Sequence, residues 1–315
     1  MPDAIVRGLA AGGRLRGLAA VTTELVEEAR RRHGTFPTAT AALGRALTAA
    51  LLLGATLKGE ERISLQFNGD GPLQEVFAEA DAHGRVRGYV RRPGIHLPSK
   101  DGKLDVGGAL GRRGTLQVLR WMPEGAPYQG VVPLVAGEIA QDLAYYLTVS
   151  EQIPSTVALG VYVEPDGRVT AAGGFIVQRL PANGTVSVDA EALTPEEARI
   201  VERVEANLAP LPGVSALVRE GATARALFET ALAGLEPRVL AEGPAAFFCP
   251  CSRERVARTL VTLGPDDLER LAREQGGTTV TCHFCNTDYR VGADELRAMA
   301  EELRRGGEPA GERPA

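Results

Sequence analysis

The most apolar stretch of the chain is Ala39–Leu57, which reads ATAALGRALTAALLLGATL. It is interrupted by Arg45 and by three threonines, and it is rich in alanine and glycine. A helix that crosses a membrane needs about 20 predominantly apolar residues, so this stretch is marginal in length and also carries a charge. We therefore predict a helix buried on most sides in the core of a soluble domain, and no membrane partner is expected.

Segments with strand character flank this helix on both sides. Two strands within residues 3–22 meet at Ala11-Gly12-Gly13, and Pro165-Asp166-Gly167 is a turn signal inside a later hairpin. Further strands are predicted at 62–68, 73–81, 85–91, 116–122, 156–164 and 170–180, and further helices at 24–33 and 136–150. Neighbouring strands with few helices between them indicate an α+β fold. Residues 1–181 are predicted to form this layered N-terminal domain of sheet and helix.

The composition changes after Pro181, and residues 182–240 are predicted to form a helical linker. Thr194 and Glu197 frame a capping box that starts one helix, and a second helix is expected over about 222–235. Both helices carry apolar side chains at helical spacing, so their apolar faces must lie on another surface.

Length and charge exclude several classes of protein. A chain of 315 residues can bury a sizeable core, so its four cysteines are not needed as disulfide staples. The net charge of −5 argues against a general basic nucleic-acid binder, and the absence of a Walker loop argues against a nucleotide cofactor. The start, Met1–Ala4, lacks the basic and apolar regions of a secretory signal, which predicts a cytoplasmic protein with reduced cysteines.

All four cysteines lie in two pairs near the C-terminus, Cys249-Pro250-Cys251 and Cys282-His283-Phe284-Cys285. Two thiol pairs separated by a short insert are typical of a tetrahedral zinc site with four sulfur ligands, and we predict one zinc ion per chain. The insert is predicted to hold two helices, and residues 280–289 to form a strand, a metal-binding turn and a second strand. Residues 241–305 would form this small module, and 306–315 a disordered tail.

The cysteine spacing also indicates a redox switch. A disulfide between cysteines two residues apart closes a very small ring, so it is expected to be strained and easily reduced. Oxidation of either pair would remove two thiolates and expel the zinc, and a module held together by the metal would then unfold. Four cysteines permit three pairings, of which proximity in the sequence favours Cys249–Cys251 with Cys282–Cys285.

These residues resemble the 33 kDa chaperonin family of redox-regulated heat-shock holdases. The resemblance extends from the start of the chain to about residue 300. It rests on the two cysteine pairs and their separation, on Tyr289 four residues after the second pair, and on Leu52–Glu60, Gly69–Leu73, Arg87–Tyr89, Ser150–Pro154 and Gly173–Gln178.

The resemblance implies a chaperone that works without ATP and is not an enzyme. Reduced and zinc-bound, such proteins are inactive. Oxidation forms two disulfides, releases zinc and unfolds the C-terminal module and linker, and a typically dimeric form then binds unfolding clients. The family's zinc-binding and redox cysteines correspond to Cys249, Cys251, Cys282 and Cys285. The linker residues that become candidates for both latch and client surface are Val201, Val204, Leu208, Leu227, Phe228, Leu232 and Leu235.

Two other functions remain open from the residues alone. A zinc module that binds nucleic acid would use arginines of the zinc module, such as Arg253 after the first cysteine pair and Arg290 after the second, although acidic residues are interleaved with them. A thiol oxidoreductase would use Cys282 and Cys285, but the strand–helix–strand setting of thioredoxin-like proteins is missing around them.

Overall fold

The computed structural model describes residues 2–180 and 193–305. The chain divides into two compact units, Met1–Phe248 and Cys249–Ala315. The predicted disordered tail and the predicted domain boundary after residue 181 lie outside the described residues.

The N-terminal unit contains both strands and helices. Its strands are β1 (Ala4–Ala10), β2 (Leu15–Val21), β3 (Arg62–Gly69), β4 (Glu75–Asp81), β5 (Arg85–Val90), β6 (Gly114–Trp121), β7 (Tyr128–Pro133), β8 (Ser155–Val163), β9 (Val169–Arg179), β10 (Arg238–Pro244) and β11 (Ala246–Phe247). Its helices are α1 (Thr23–His33), α2 (Pro37–Gly54), α3 (Val106–Leu110), α4 (Ala140–Val149), α5 (Pro195–Leu208), α6 (Val214–Arg219) and α7 (Ala224–Ala231).

The strands form two sheets. One is five-stranded in the order β10-β1-β2-β9-β8, and the other is six-stranded in the order β11-β5-β4-β3-β6-β7. All neighbouring strands are antiparallel except β11 and β5, which run parallel. The predicted α+β fold is therefore confirmed.

Helix α2 lies between the two sheets. It packs on β8 and β9 of one sheet and on β4 and β5 of the other, and between Thr38 and Gly54 every residue except Arg45 is buried. The Arg45 guanidinium bonds the Glu138 carboxylate at 2.5 Å, which gives this charge a partner at the edge of the core. The predicted buried helix is confirmed. Over residues 2–180 and 193–305, no helix is both long and apolar enough to cross a membrane.

The linker helices cover the other face of the five-stranded sheet. They contribute side chains to an apolar cluster that also contains Val6, Leu15 and Phe175 from the sheet. Among the latch candidates, Val204, Leu227, Phe228 and Leu232 are buried in this cluster, whereas Leu208 and Leu235 are partly buried against it.

Val201 is the exception among the latch candidates. Its side chain is half-buried and does not belong to the apolar cluster, whereas Ile200 is buried there. The buried residues of α5 are Ile200 and Val204, spaced four residues apart, and Leu208 is partly buried one turn further on. Ile200 therefore adds a residue to the docking face that the sequence did not single out, and the latch role of Val201 stays a prediction.

Phe228 of α7 occupies a slot made by two glycines. Gly8 of β1 and Gly17 of β2 are paired across the sheet, and a Cβ atom at either position would lie within 2.6 Å of the Phe228 ring. At Gly17 the added atom would also lie 2.7 Å from a methyl of Leu232. Only glycine at these positions lets the helix approach the sheet so closely.

Three strands of this unit were not predicted from the sequence, and one of them is the short β11 at an edge of the six-stranded sheet. Strand β7 forms an edge of the six-stranded sheet, and β10 extends the five-stranded sheet by pairing with β1. In the described part of the linker, from residue 193 onward, the last helix ends at Ala231 and a strand begins at Arg238, so the end of the linker is hydrogen-bonded to β1.

The C-terminal unit is small. It contains α8 (Arg253–Val261), α9 (Pro265–Gln275), β12 (Gly277–Thr281), β13 (Asp288–Gly292) and α10 (Ala293–Arg304), with β12 and β13 paired as an antiparallel hairpin. Its buried apolar cluster consists of Val256, Leu260, Leu268, Ala272, Val291, Leu296 and Ala300. A core of this size gives little stability by itself, and small domains of this kind often depend on a metal.

The glycine slot predicts a specific sensitivity to substitution. Gly17→Ala should lower the free energy of unfolding by about 1–3 kcal/mol, because its Cβ overpacks against Phe228 and Leu232. The control is Gly243→Ala on β10, where an added Cβ meets nothing within 4 Å and a change within about 0.5 kcal/mol is expected. Urea unfolding monitored by circular dichroism measures both, and equal stabilities for the two variants would contradict the slot.

Candidate metal and redox centre

The first cysteine pair lies just before α8. The Ser252 hydroxyl accepts a hydrogen bond from the Arg255 amide at 3.3 Å and so caps this helix immediately after Cys251. Because Cys251 adjoins a capped helix start, the pair is anchored at one end by regular structure.

The second cysteine pair lies in the turn between β12 and β13. The Cys282 amide donates to the Thr287 carbonyl at 2.9 Å, and the Asn286 amide donates to the Cys282 carbonyl at 2.8 Å. Asn286 adopts a left-handed conformation with φ of 55°, which asparagine tolerates better than most residues. The predicted strand–turn–strand is confirmed, and its tight turn directs both thiols to the same side.

The four sulfur atoms converge. They all lie within 4.8 Å of one another, with Cys249 Sγ 3.7 Å from Cys282 Sγ and Cys251 Sγ 3.3 Å from Cys285 Sγ. Tetrahedral zinc with Zn–S bonds of about 2.3 Å requires sulfur separations of about 3.8 Å. The spacing of these thiols and their soft donor chemistry therefore fit a zinc ion.

The ligand set consists of thiols. Among the described residues, this cysteine cluster is the group of histidine, cysteine and carboxylate side chains whose donor atoms are close enough to share a metal ion. His283 is exposed, and its ring lies edge-on to the Phe284 ring. The prediction that His283 belongs to the turn and not to the ligands is consistent with this arrangement.

Burial and hydrogen bonds give the thiols different acidities. Burial raises the pKa of Cys251 to about 12, and burial also raises the pKa of Cys282. At Cys285, burial would raise the pKa, but hydrogen bonds from the Thr287 side chain and backbone outweigh it and lower the pKa to about 7. Zinc binding requires all of these thiols to be deprotonated, so zinc affinity will increase with pH.

Two hydroxyl groups contact the cluster. The Tyr289 hydroxyl donates to Cys251 Sγ at 3.0 Å, and Thr287 Oγ1 lies 3.3 Å from Cys285 Sγ. Because of its bond to Cys251, the pKa of Tyr289 is raised. In the sequence, Tyr289 is marked only by the family resemblance, and Thr287 is not marked by any motif. Only their positions, two and four residues after Cys285, could have indicated these contacts.

Each cysteine pair contributes to the cluster, whereas the latch candidates belong to the N-terminal unit. The proximity of the sulfurs does not select a disulfide pairing, because each thiol has neighbours from its own pair and from the other. The pairing of Cys249 with Cys251 and of Cys282 with Cys285 stays a prediction.

Comparison with known proteins agrees with these features. The family model described as Hsp33 protein matches residues 3–292. The 33 kDa chaperonin of Geobacter sulfurreducens is 48% identical over 301 residues, which cover 96% of each chain. That of Thermus thermophilus is 47% identical over 312 residues, covering 95% of this chain and 87% of its own.

A solved structure has the same fold. The crystal structure of the 33 kDa chaperonin from Thermotoga maritima is similar to this chain with a TM-score of 0.84 and 37% identity. The match covers 97% of this chain and all of the other. With the family match over nearly the whole length, this similarity shows that the chain belongs to the Hsp33 family of 33 kDa chaperonins.

Proposed function

We propose that this protein is a redox-regulated holdase that protects unfolding proteins from aggregation without ATP. Membership of a chaperonin family supports the chaperone role, and the convergence of four thiols from two distant segments is the observation that carries the redox control. In the reduced state Cys249, Cys251, Cys282 and Cys285 hold one zinc ion and the protein is inactive.

Zinc supplies a cross-link in this state. Bound to four thiolates, it would join the segment before α8 to the β12–β13 turn and compensate their negative charges. The small apolar core of the C-terminal unit supports this role, since a unit with so few buried apolar side chains gains much of its stability from a further cross-link. Oxidation of a cysteine pair takes two electrons from two thiolates and forms an S–S bond, after which two of the four ligands no longer carry charge.

The docked linker is the part of the protein that would respond to oxidation of the cysteines. Its helices bury apolar side chains against the five-stranded sheet, and β10 and β11 connect them along the chain to Cys249. In our proposal, unfolding of the C-terminal unit destabilises this docking and exposes apolar surface to clients. A homodimer in the oxidised state follows from the family resemblance. A reducing compartment such as the cytoplasm suits four thiols that must stay free until stress.

The two alternative functions, a nucleic-acid-binding zinc module and a thiol oxidoreductase, have less support. Arginines of the C-terminal unit pair with acidic residues, as in Arg253 with Glu295 at 2.6 Å and Arg297 with Asp294 at 2.8 Å, which reduces their attraction for phosphates. Cys282 and Cys285 lie in a hairpin turn that is followed by β13, whereas thioredoxin-like oxidoreductases place this motif in a strand–helix–strand setting.

The first test compares two forms of the full chain. One is reduced and loaded with zinc, and the other is treated with hydrogen peroxide under mild heat while released zinc and free thiols are counted. Light scattering from a thermally unfolding client without ATP should be suppressed only by the oxidised form. Equal suppression by both forms would indicate a constitutive chaperone with structural zinc, and suppression by neither would refute a holdase.

The disulfide pairing can be read from tryptic peptides. Cleavage at arginine separates the two cysteine pairs into Val239–Arg253 and Glu274–Arg290. The predicted pairing leaves both as unlinked peptides, each lighter by two hydrogens after oxidation. Mass spectrometry after complete oxidation should find these two species. A covalently linked pair of peptides would instead mean that disulfides join Cys249 or Cys251 to the second pair.

The latch can be weakened without touching a cysteine. Phe228→Ala empties the slot over Gly8 and Gly17, which should cost about 3–5 kcal/mol of docking and give the reduced protein measurable holdase activity. Phe36→Ala, the same change at a side chain that is 54% exposed, is the matched control, with no such gain expected. Limited proteolysis of the reduced, zinc-loaded Phe228→Ala variant shows whether the linker is released. A variant with a released linker that is still as inactive as the control would mean that linker docking does not control activity.

A further inference from the structure

Tyr289 joins the β12–β13 hairpin to the first cysteine pair. It lies on β13 opposite Val280, its ring packs against the small apolar core, and its hydroxyl lies 3.0 Å from Cys251 Sγ. Tyr289 is 38 residues away from Cys251 in the chain. The contact therefore depends on the folded unit and places a single hydroxyl at one of the four sulfurs.

The direction of this hydrogen bond has a chemical consequence. A thiolate has no proton to give, so once Cys251 is deprotonated the Tyr289 hydroxyl must be the donor. Hydrogen bonds to a charged acceptor are stronger than neutral ones, and this bond draws electron density from the sulfur lone pairs. Those lone pairs are the electrons that attack an oxidant, so the bond should make Cys251 less reactive.

We propose that Tyr289 is a positioning residue that sets the oxidant threshold of the switch by restraining Cys251. This inference rests on the proposed function and specifies its regulation. Loss of the hydroxyl should leave zinc binding intact but make the first cysteine pair oxidise faster.

The reaction that Tyr289 would slow is the two-electron oxidation of the first cysteine pair by peroxide. A thiolate attacks one oxygen of hydrogen peroxide, an S–O bond forms, the O–O bond breaks, and hydroxide leaves to give a sulfenic acid. The second thiolate of the pair attacks this sulfur, an S–S bond forms and hydroxide leaves again. Two thiolates, one hydrogen peroxide and two protons thus give one disulfide and two water molecules.

The test is Tyr289→Phe in the full chain, which keeps the ring against the core and removes only the hydroxyl. The control is Tyr145→Phe, the same chemical change on α4 of the N-terminal unit, which is distant in sequence from every cysteine. Zinc release is recorded with a metal-sensitive dye after addition of hydrogen peroxide. We expect release to be roughly three- to tenfold faster in Tyr289→Phe and unchanged in the control.

A second readout locates the effect. Thiols that survive a short peroxide exposure are alkylated and counted in the tryptic peptides Val239–Arg253 and Glu274–Arg290. The variant should lose thiols faster in the first peptide. Zinc release driven by a chelator without peroxide separates this effect from a weaker fold. If Tyr289 acts by positioning, the chelator should release zinc from Tyr289→Phe no faster than from the wild type. If the variant is simply less stable, zinc release should be faster with the chelator as well as with peroxide.

Two results would overturn the inference: peroxide-driven release within twofold of the wild type, or acceleration by chelator and peroxide alike. Should Tyr289→Phe fail to fold, 3-fluorotyrosine at position 289 keeps the hydroxyl as a stronger donor, and slower release is then expected. Failure of the proposed function can be distinguished from failure of this inference. In that case the wild-type protein itself would bind no zinc, or would gain no holdase activity when it is oxidised.

Discussion

Helix α2 must be covered around its whole circumference, and this requirement sets the layering of the N-terminal unit. Apart from Arg45, its residues from Thr38 to Gly54 are buried, and each square ångström of apolar surface left in water would cost about 25 cal/mol. One sheet can cover only one side of a helix, so two sheets enclose it. The five-stranded sheet then has a second apolar face, which the linker helices cover.

The linker helices cover the second apolar face of the five-stranded sheet, and their own stability depends on this contact. Helix α6 has six residues and α7 has eight, and isolated helices shorter than about 12–15 residues are marginal in water. Their structure therefore comes from docking, with Phe228 seated over Gly8 and Gly17. Such short helices are released together when their contacts with the sheet are lost, which suits the conversion from latch to exposed apolar surface in the proposed function.

The sequence predicted features that arise from local pattern, namely the buried helix and the paired cysteines. It missed a boundary set by a side chain that caps a nearby loop, and it missed a strand that depends on a distant partner. The helix predicted from residue 136 begins at Ala140, because the buried Asp142 carboxylate accepts the amides of Val135, Ala136 and Ile139 and holds them as a loop. Strand β10 exists because β1 offers it an edge, and nothing in its own alternation of residues indicates that partner.

The thiol cluster and the small core around it also depend on each other. Four thiolates within 4.8 Å repel one another unless a cation lies between them, and a core of seven buried apolar side chains cannot oppose that repulsion alone. In the proposed function the metal therefore supplies both stability and charge balance, and oxidation of either pair would remove both. The rate of this proposed switch would be governed by how readily the sulfurs give up electrons. Neighbouring hydroxyls such as that of Tyr289 can adjust this rate while all four ligands stay the same.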